Sequence, residues 1–318
     1  MMKSIPTRFR AYQLGSAGSS FSYFAGGHFT VLEGRLTEIS LPQMAAEMTE
    51  CGVAAADVLH ITGWDMDHCA ASELEALLEL IVPRKIEYPG YPPHCENAEK
   101  ALAIIKAYEQ KRRSTNRPAT LVSVTPDYIA GLETAERLAL RNIFYHPKQI
   151  YPDCGNDNST VEFFRSGSFN VLSLGDLESS HLSARLRRCR LLCLETDILI
   201  LAHHGAANGF TTKKFLQSIE PSLAVCSSNY DNHHDHPDEE IRELLYDQDI
   251  RLMTTKTGDI IVRSTGTHTG HFEAINYKAN TTEISSIKKF RAKKAELLSY
   301  NGDTIRQIYE PRRARPYL

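Results

Sequence analysis

Apolar residues recur along the chain with two different spacings, and residues 58–81 contain both. Val58, Leu59 and Ile61 form a short apolar run that is typical of a buried strand. Residues 70–81 then carry apolar side chains at intervals of three and four, which predicts a helix with one face on a core. The stretch is therefore predicted to form a strand, a polar loop and a helix.

Further strands and helices are predicted on both sides of this stretch. Strands are predicted at residues 9–14, 21–24, 29–32, 85–88, 121–124, 161–164, 169–174, 197–202 and 222–227, and helices at residues 42–51, 96–112 and 132–138. The first strands follow one another through short glycine turns, as in an antiparallel meander, whereas helices separate several of the later ones. This order predicts an α/β fold.

Side chains that can bind a metal follow four of these strands. They are Asp65, Asp67 and His68 after the strand at 58–61, Asp176 after 169–174, His203 and His204 after 197–202, and His233, His234 and His236 after 222–227. Side chains beyond the carboxyl ends of strands project into a common crevice, so we expect these groups to converge. Carboxylates and imidazoles that converge at one rim predict a metal site. Taken alone, residues 65–68 also fit a solvated turn with an acidic helix cap.

The composition is typical of a globular protein, and the C-terminal end differs from the rest of the chain in its net charge. The 318 residues are 42% hydrophobic and carry a net charge of -3. Residues 278–318 hold 10 Lys and Arg against 4 Asp and Glu, or +6, which leaves 26 against 35, or -9, for residues 1–277. We therefore expect one main domain at 1–270 and a basic C-terminal extension at 271–318. The seven scattered cysteines predict reduced thiols in a cytoplasmic protein. No stretch approaches the roughly 20 apolar residues of a membrane span, so we expect none.

Two interpretations of the basic extension stay open. Apolar residues at 284, 287, 290, 297 and 298 fit an amphipathic helix that packs on the domain. The clustered Lys and Arg residues, which include Arg312, Arg313 and Arg315, also fit an arm that contacts phosphates of a nucleic acid.

The ordered motifs resemble those of the metallo-β-lactamase superfamily, in the branch typified by the nuclease domain of the bacterial DNA-uptake protein ComEC. They are Asp65-x-Asp67-His68, the segment 156–161, Gly175-Asp176, His203-His204-Gly205, His236-Pro237 and the segment 257–261. The resemblance implies an αββα sandwich with a metal site at one edge. This sequence has Gly63 where the family usually has a histidine and Ala206 where it usually has a serine. His94, His181 or a substrate oxygen would have to supply the missing ligand.

The resemblance also implies roles for the site residues. Asp67 and His68 would hold one ion, Asp65 would contribute to a second, and Asp176 would bridge the two. One of His203 and His204 would be a ligand, and the other a proton donor or a phosphate contact. The last ligand would be His236, with His233 and His234 as alternatives. The catalytic residues would be Asp67, Asp176 and His204. The substrate would contact His204, Asn158 and Ser159.

A site of carboxylates and imidazoles without cysteine suits one or two divalent ions, either zinc or manganese. Such an ion lowers the pKa of a bound water towards ~7, so hydroxide becomes available at neutral pH. We therefore expect a metal-dependent enzyme that cleaves phosphodiester bonds, in the first place a DNA or RNA nuclease. The alternatives are a phosphodiesterase for a small nucleotide or other phosphoester, and an inactive relative that acts as a binding module.

Overall fold

The computed structural model describes residues 5–138, 142–230, 235–266 and 270–295. The strands are β1 (Thr7–Ala11), β2 (Phe21–Ala25), β3 (His28–Leu32), β4 (Val58–His60), β5 (Lys85–Pro89), β6 (Thr120–Val124), β7 (Ile143–His146), β8 (Val161–Phe164), β9 (Val171–Ser173), β10 (Ile198–Ile200), β11 (Leu223–Cys226), β12 (Arg251–Thr254), β13 (Ile260–Thr265), β14 (His271–Tyr277) and β15 (Ile284–Arg291). The α-helices are α1 (Ser40–Glu50), α2 (Ala71–Ile81), α3 (Glu96–Arg112), α4 (Pro126–Leu138), α5 (Ser180–Leu186), α6 (Arg190–Glu195), α7 (Lys213–Ile219) and α8 (Glu239–Asp247).

The strands form two mixed sheets. One sheet has nine strands in the order β15-β14-β13-β1-β2-β3-β4-β5-β6, of which β3 to β6 are parallel. The other has six strands in the order β12-β11-β10-β9-β8-β7, and β9 to β12 are parallel. The carboxyl ends of four parallel strands therefore meet at one edge of the second sheet.

Strand β10 shows how the sheets are layered. Ile198 and Ile200 join a core cluster that contains residues from both sheets, whereas Leu199 between them joins a cluster with helices α5 to α8. Helices α1, α2 and α3 cover the outer face of the nine-stranded sheet in the same way. Because side chains alternate along a strand, central strands such as β10 bury apolar residues on both faces. The four layers confirm the predicted αββα metallo-β-lactamase sandwich.

Most elements with a clear apolar period lie where the sequence predicts them. Helix α3 has the predicted bounds, and β2, β3 and β8 differ from the prediction by at most one residue at either end. The sequence did not predict the strands β7, β12, β13 and β14 or the helices α5 to α8, each of which has nine residues or fewer. These elements are too short to show a clear period and form through pairing with or packing on the two sheets. No helix in the described ranges is long and apolar enough to cross a membrane.

The start of the basic extension is a strand, so the amphipathic helix considered from residue 284 is wrong over Ile284–Arg291. Strand β15 pairs antiparallel with β14, and the partly buried Phe290 packs against the core between the sheets. Tertiary pairing decides this segment, because its apolar residues fit either element. The predicted boundary between residues 270 and 271 stays a prediction. Residues 297, 298 and 312–315 lie outside the described residues.

Two lysines of the extension tie the end of β15 to the second sheet. The Nζ atom of Lys294 donates hydrogen bonds to the carbonyl oxygens of Arg165, at 2.6 Å, and Gly167, at 3.0 Å. Lys293 Nζ donates to the carbonyl oxygens of Cys193 and Ile219. Part of the positive charge of the extension therefore anchors the fold.

Candidate metal centre

Three neighbouring parallel strands bring candidate ligands to one edge of the second sheet. Asp176 follows β9, His203 and His204 follow β10, and the segment that leads to His236 follows β11. The nine-stranded sheet contributes the loop after β4, which carries Asp67 and its neighbours. Loops from both sheets therefore meet at this edge.

Four of the expected residues come together. Asp67, His68, Asp176 and His204 each place one ligand atom within 4.8 Å of the others. The Nε2 atom of His68 lies 2.9 Å from Oδ2 of Asp176, and Nε2 of His204 lies 3.1 Å from Oδ2 of Asp67. The cluster contains residues from loops of both sheets. Each of its two imidazoles directs its Nε2 atom towards a carboxylate of the cluster.

Contacts on the other side of each ring fix this orientation. His68 Nδ1 lies 3.1 Å from both Oε1 of Glu33 and Oγ1 of Thr62. His204 Nδ1 lies 2.9 Å from the carbonyl oxygen of Ser227. Each Nε2 is therefore left to face the cluster, as metal-binding histidines require. The buried His68 Nε2 faces the carboxylate of Asp176 and has no hydrogen bond of standard geometry within the described residues, so these residues fit a divalent metal.

The charges of the cluster shift its pKa values strongly. Burial alone would lower the pKa of His68, but the carboxylates of Asp176, Glu33 and Asp67 outweigh it and raise that pKa well above its usual value. Burial would raise the pKa of Asp67, and the imidazoles of His68 and His204 instead lower it. Acidic and basic groups thus hold each other in their charged forms. A bound metal ion would replace the protons on the imidazoles.

The backbone before Asp176 needs glycine. Gly175 has a φ of 54°, and an added Cβ would lie 2.6 Å from the Cβ of Ser159. The hydroxyl of Ser159 accepts the backbone N–H of Asp176 at 3.0 Å. This close packing sets the direction of the Asp176 carboxylate.

His203 and His204 both have a left-handed backbone, with φ values of 45° and 52°. This conformation costs about 1–2 kcal/mol for each non-glycine residue. The backbone N–H of His203 donates to the carbonyl oxygen of Gly175, which joins the loops after β9 and β10. The tight turn separates the two imidazoles, so that only His204 enters the four-residue cluster.

Three further candidate ligands lie outside that cluster, each beside another titratable group. Oδ1 of Asp65 lies 3.1 Å from Nε2 of His94. His203 Nδ1 is 2.9 Å from Oε1 of Glu178, and His236 Nδ1 is 3.1 Å from Oδ1 of Asp238. The rings of His203 and His236 are 6.1 Å apart. His233 and His234 lie outside the described residues.

Two of the three expected substrate contacts, Asn158 and Ser159, hold loops in the structure. The side-chain amide of Asn158 donates to the carbonyl oxygens of Tyr151 and Cys154 and accepts the N–H of Tyr151. Ser159, only 2% exposed, accepts the N–H of Asp176. Their contact with a substrate stays a prediction.

The sequence analysis missed several residues that shape the site. Glu33 orients His68, and Asp157 accepts the backbone N–H groups of Glu178 and Ser179. Tyr91 receives the backbone N–H of Trp64. Both carboxylates had a signal in the sequence, because Glu33 directly follows a predicted strand and Asp157 lies within the motif segment 156–161.

A second buried group links the sheets next to the site. His60 Nδ1 lies 3.3 Å from Oε2 of Glu87, and His60 Nε2 lies 3.8 Å from Oε2 of Glu162. Lys85 Nζ lies 2.6 Å from the other carboxylate oxygen of Glu87. Burial would lower the pKa of His60, but Glu162 and Glu87 raise it. His60 therefore lies between a carboxylate from each sheet, and both carboxylates favour its protonated form.

Fold and site together define a metallo-β-lactamase fold protein with a candidate metal centre. No family model matches the sequence. The chain is 24% identical over 211 residues to ComE operon protein 3 of Bacillus subtilis (strain 168), an alignment that covers 65% of this chain and 24% of that protein. It is 36% identical over 62 residues to competence protein ComA of Neisseria gonorrhoeae, which covers 20% of this chain and 9% of that protein. The predicted resemblance to the ComEC branch is confirmed. The chain thus spans a quarter or less of these relatives.

Solved structures with a related arrangement share little sequence. The metallo-beta-lactamase fold protein YhfI from Bacillus subtilis aligns with 81% of this chain and 100% of its own, at 12% identity and a TM-score of 0.48. The metallo hydrolase Igni18 from Ignicoccus hospitalis aligns with 80% of this chain and 98% of its own, at 12% identity and a TM-score of 0.45.

Proposed function

We propose that the chain is a metal-dependent phosphodiesterase that acts on DNA or RNA. The proposal rests on one observation above all, the cluster of Asp67, His68, Asp176 and His204, in which both imidazoles present Nε2. Two carboxylates and two imidazoles form a ligand set that suits zinc or manganese.

The chain's own residues take distinct roles in this proposal. Asp67, His68 and His204 would hold the first ion, and Asp176 would contribute to both the first ion and a second. Asp65, His203 and His236, which lie outside this cluster, are the candidates for holding the second ion. A bound metal supplies a Lewis acid that neutralises phosphoryl charge and a water of lowered pKa. Glu33 and Ser159 keep His68 and Asp176 in place during this chemistry.

The resemblance to the ComEC branch supports a polynucleotide substrate. The motif order matches that branch, and the alignment with ComE operon protein 3 covers 65% of this chain. The cytoplasmic location and the choice between zinc and manganese stay predictions.

One observation favours a smaller phosphodiester as a second candidate. A cleft of ≈ 720 Å³ begins at Asp65 and runs between the segments 91–94 and 150–158. Its thirteen lining residues include Asp65, His94 and Asp153 but neither lysine nor arginine. A nucleic-acid backbone gains affinity from such cations, so this cleft suits a base or sugar better than a run of phosphates.

Metal analysis of the purified protein, paired with hydrolysis assays, tests the proposal. Single-stranded DNA, RNA and a chromogenic phosphodiester are compared with added Zn²⁺ or Mn²⁺. We expect bound metal and cleavage of polynucleotides. Cleavage of the small ester alone would favour the second candidate, and bound metal without cleavage of any substrate would contradict both and indicate a binding module.

A further inference from the structure

The space beside Gly63 is filled by a residue from another loop. A Cβ added at Gly63 would lie 3.7 Å from the hydroxyl oxygen of Tyr91 and 3.9 Å from both the His68 ring and the Ser159 hydroxyl. A side chain at position 63 would therefore start at the edge of the cluster. The Tyr91 hydroxyl lies at that edge.

Two hydrogen bonds hold Tyr91 in this position. The backbone N–H of Trp64 donates to the Tyr91 hydroxyl oxygen at 3.2 Å, and the indole N–H of Trp64 donates to the Tyr91 carbonyl oxygen at 2.9 Å. Trp64 is fully buried and Tyr91 is 7% exposed, so neither ring has freedom to turn. Tyr91 also lines the cleft that begins at Asp65.

The hydroxyl of Tyr91 accepts a hydrogen bond but gives none to any residue in the described ranges. A tyrosine hydroxyl, with an ordinary pKa of about 10, keeps its proton at neutral pH and can donate a hydrogen bond. A fixed donor without an acceptor, beside metal-binding residues, is a feature that a site for an anion requires.

We propose that the Tyr91 hydroxyl donates a hydrogen bond to a phosphoryl oxygen of the substrate, from the space that a residue-63 histidine would occupy. The proposal rests on the phosphodiesterase function above and adds a residue that contacts the substrate. It also explains why position 63 is a glycine, because a larger residue there would compete with the substrate for the Tyr91 hydroxyl.

Tyr91→Phe tests the proposal, with Tyr88→Phe as the matched control. Tyr88 lies in the same segment and its ring is 5.8 Å from that of Trp64, but it does not line the cleft. Loss of one hydrogen bond to a charged group corresponds to about a 10- to 100-fold decrease in kcat/KM or in binding affinity. We expect Tyr91→Phe to lower kcat/KM for a chromogenic phosphodiester by that factor and to keep its metal content, and Tyr88→Phe to match the wild type.

A binding measurement separates this proposal from the proposed function. Titration of inorganic phosphate into the metal-loaded protein should show weaker binding to Tyr91→Phe, even if the wild type hydrolyses none of the esters. Equal phosphate affinity in the wild type and in Tyr91→Phe would overturn the role of Tyr91 but would leave the phosphodiesterase proposal standing. Reduced metal content in Tyr91→Phe would also overturn it, because Tyr91 would then support the metal instead.

A second variant guards against a loss of folding, since Phe leaves the Trp64 N–H without its acceptor. Tyr91→4-methoxyphenylalanine keeps the acceptor oxygen and replaces the donated hydrogen with a methyl group. We expect the same loss of phosphate affinity, with a melting temperature close to that of the wild type. Wild-type phosphate affinity in this variant contradicts the proposal.

Discussion

The Nδ1 atom of His68 lies 3.1 Å from Oε1 of Glu33, which directly follows strand β3. The Oγ1 atom of Thr62 also lies 3.1 Å from this nitrogen and donates to the same Glu33 oxygen. The contact decides that Nε2 of His68 faces Asp176. A carboxylate 35 residues away in the chain thereby orients a metal-binding imidazole.

Glu33→Gln should therefore weaken metal binding without removing a ligand. Loss of a carboxylate that orients a metal-binding histidine typically costs about 10- to 100-fold in affinity. Competition with a chromogenic chelator measures the change. The exposed Glu38→Gln serves as control and should bind metal as the wild type does. Equal affinity in both variants would show that His68 needs no such partner.

Asp176→Asn should abolish hydrolysis while the protein stays folded. The substitution preserves the shape of a side chain that is 5% exposed but removes the charge 2.9 Å from His68. Because a metal contributes several kcal/mol to this chemistry, we expect a loss of at least ~100-fold. Turnover, metal content and melting are measured together. Wild-type turnover with unchanged metal content would refute the role of Asp176.

Gly63→His should raise metal affinity or the number of bound ions. The added Cβ makes contacts of 3.7 to 3.9 Å, which need no shift of neighbouring atoms. Gly131→His, on helix α4 with nothing within 4 Å of the added Cβ, controls for the effect of an extra histidine. A stoichiometry and affinity equal to those of the wild type would mean that another group already fills this position.

His60→Gln should destabilise the fold in a pH-dependent manner. Removing one partner of a buried ion pair costs about 3–5 kcal/mol. The pKa of His60 is raised from 6.5, so its contribution is complete below pH 6.5 and is lost as pH rises through the folded-state pKa. The pKa of Glu87 is lowered from 4.5, so its contribution is complete above pH 4.5 and falls in acid. The difference from wild type should be largest between pH 4.5 and 6.5.

Urea denaturation across this pH range measures the difference in the free energy of unfolding. His28→Gln is the control, since the exposed pair of His28 with Asp57 should contribute less than about 1 kcal/mol. A pH-independent difference at His60 would mean that the imidazole is neutral in the folded protein.

Removal of residues 296–318 tests the phosphate-contacting arm without loss of β15 or its lysine anchors. If Arg312, Arg313 and Arg315 contact phosphates, binding of long DNA or RNA should weaken. The slope of log affinity against log salt should also fall by about 0.7 to 0.9 for each lost contact. Cleavage of a small chromogenic ester and the melting temperature should not change. An unchanged dependence of affinity on salt would show that the removed residues do not contact phosphates.

The sequence by itself determined the elements whose pattern is local. The 17 residues of α3 repeat apolar side chains often enough to define a helix, and its predicted bounds agree with the structure. The same holds for the order of strand ends that carry Asp67, Asp176 and His204. Local periodicity and the residue directly after a strand are both encoded within a few neighbouring positions.

Only the tertiary structure decided which groups touch. His204 lies 3.1 Å from Asp67 across 137 positions of sequence, while its neighbour His203 turns towards Glu178. Tyr91 reaches the space beside Gly63, and Ile284–Arg291 becomes a strand because β14 offers an edge. The first result depends on how the two sheets align and on a strained turn, whereas the other two depend on loops and strand pairing within the nine-stranded sheet. The order of residues along the chain does not contain those distances, because tertiary packing sets them.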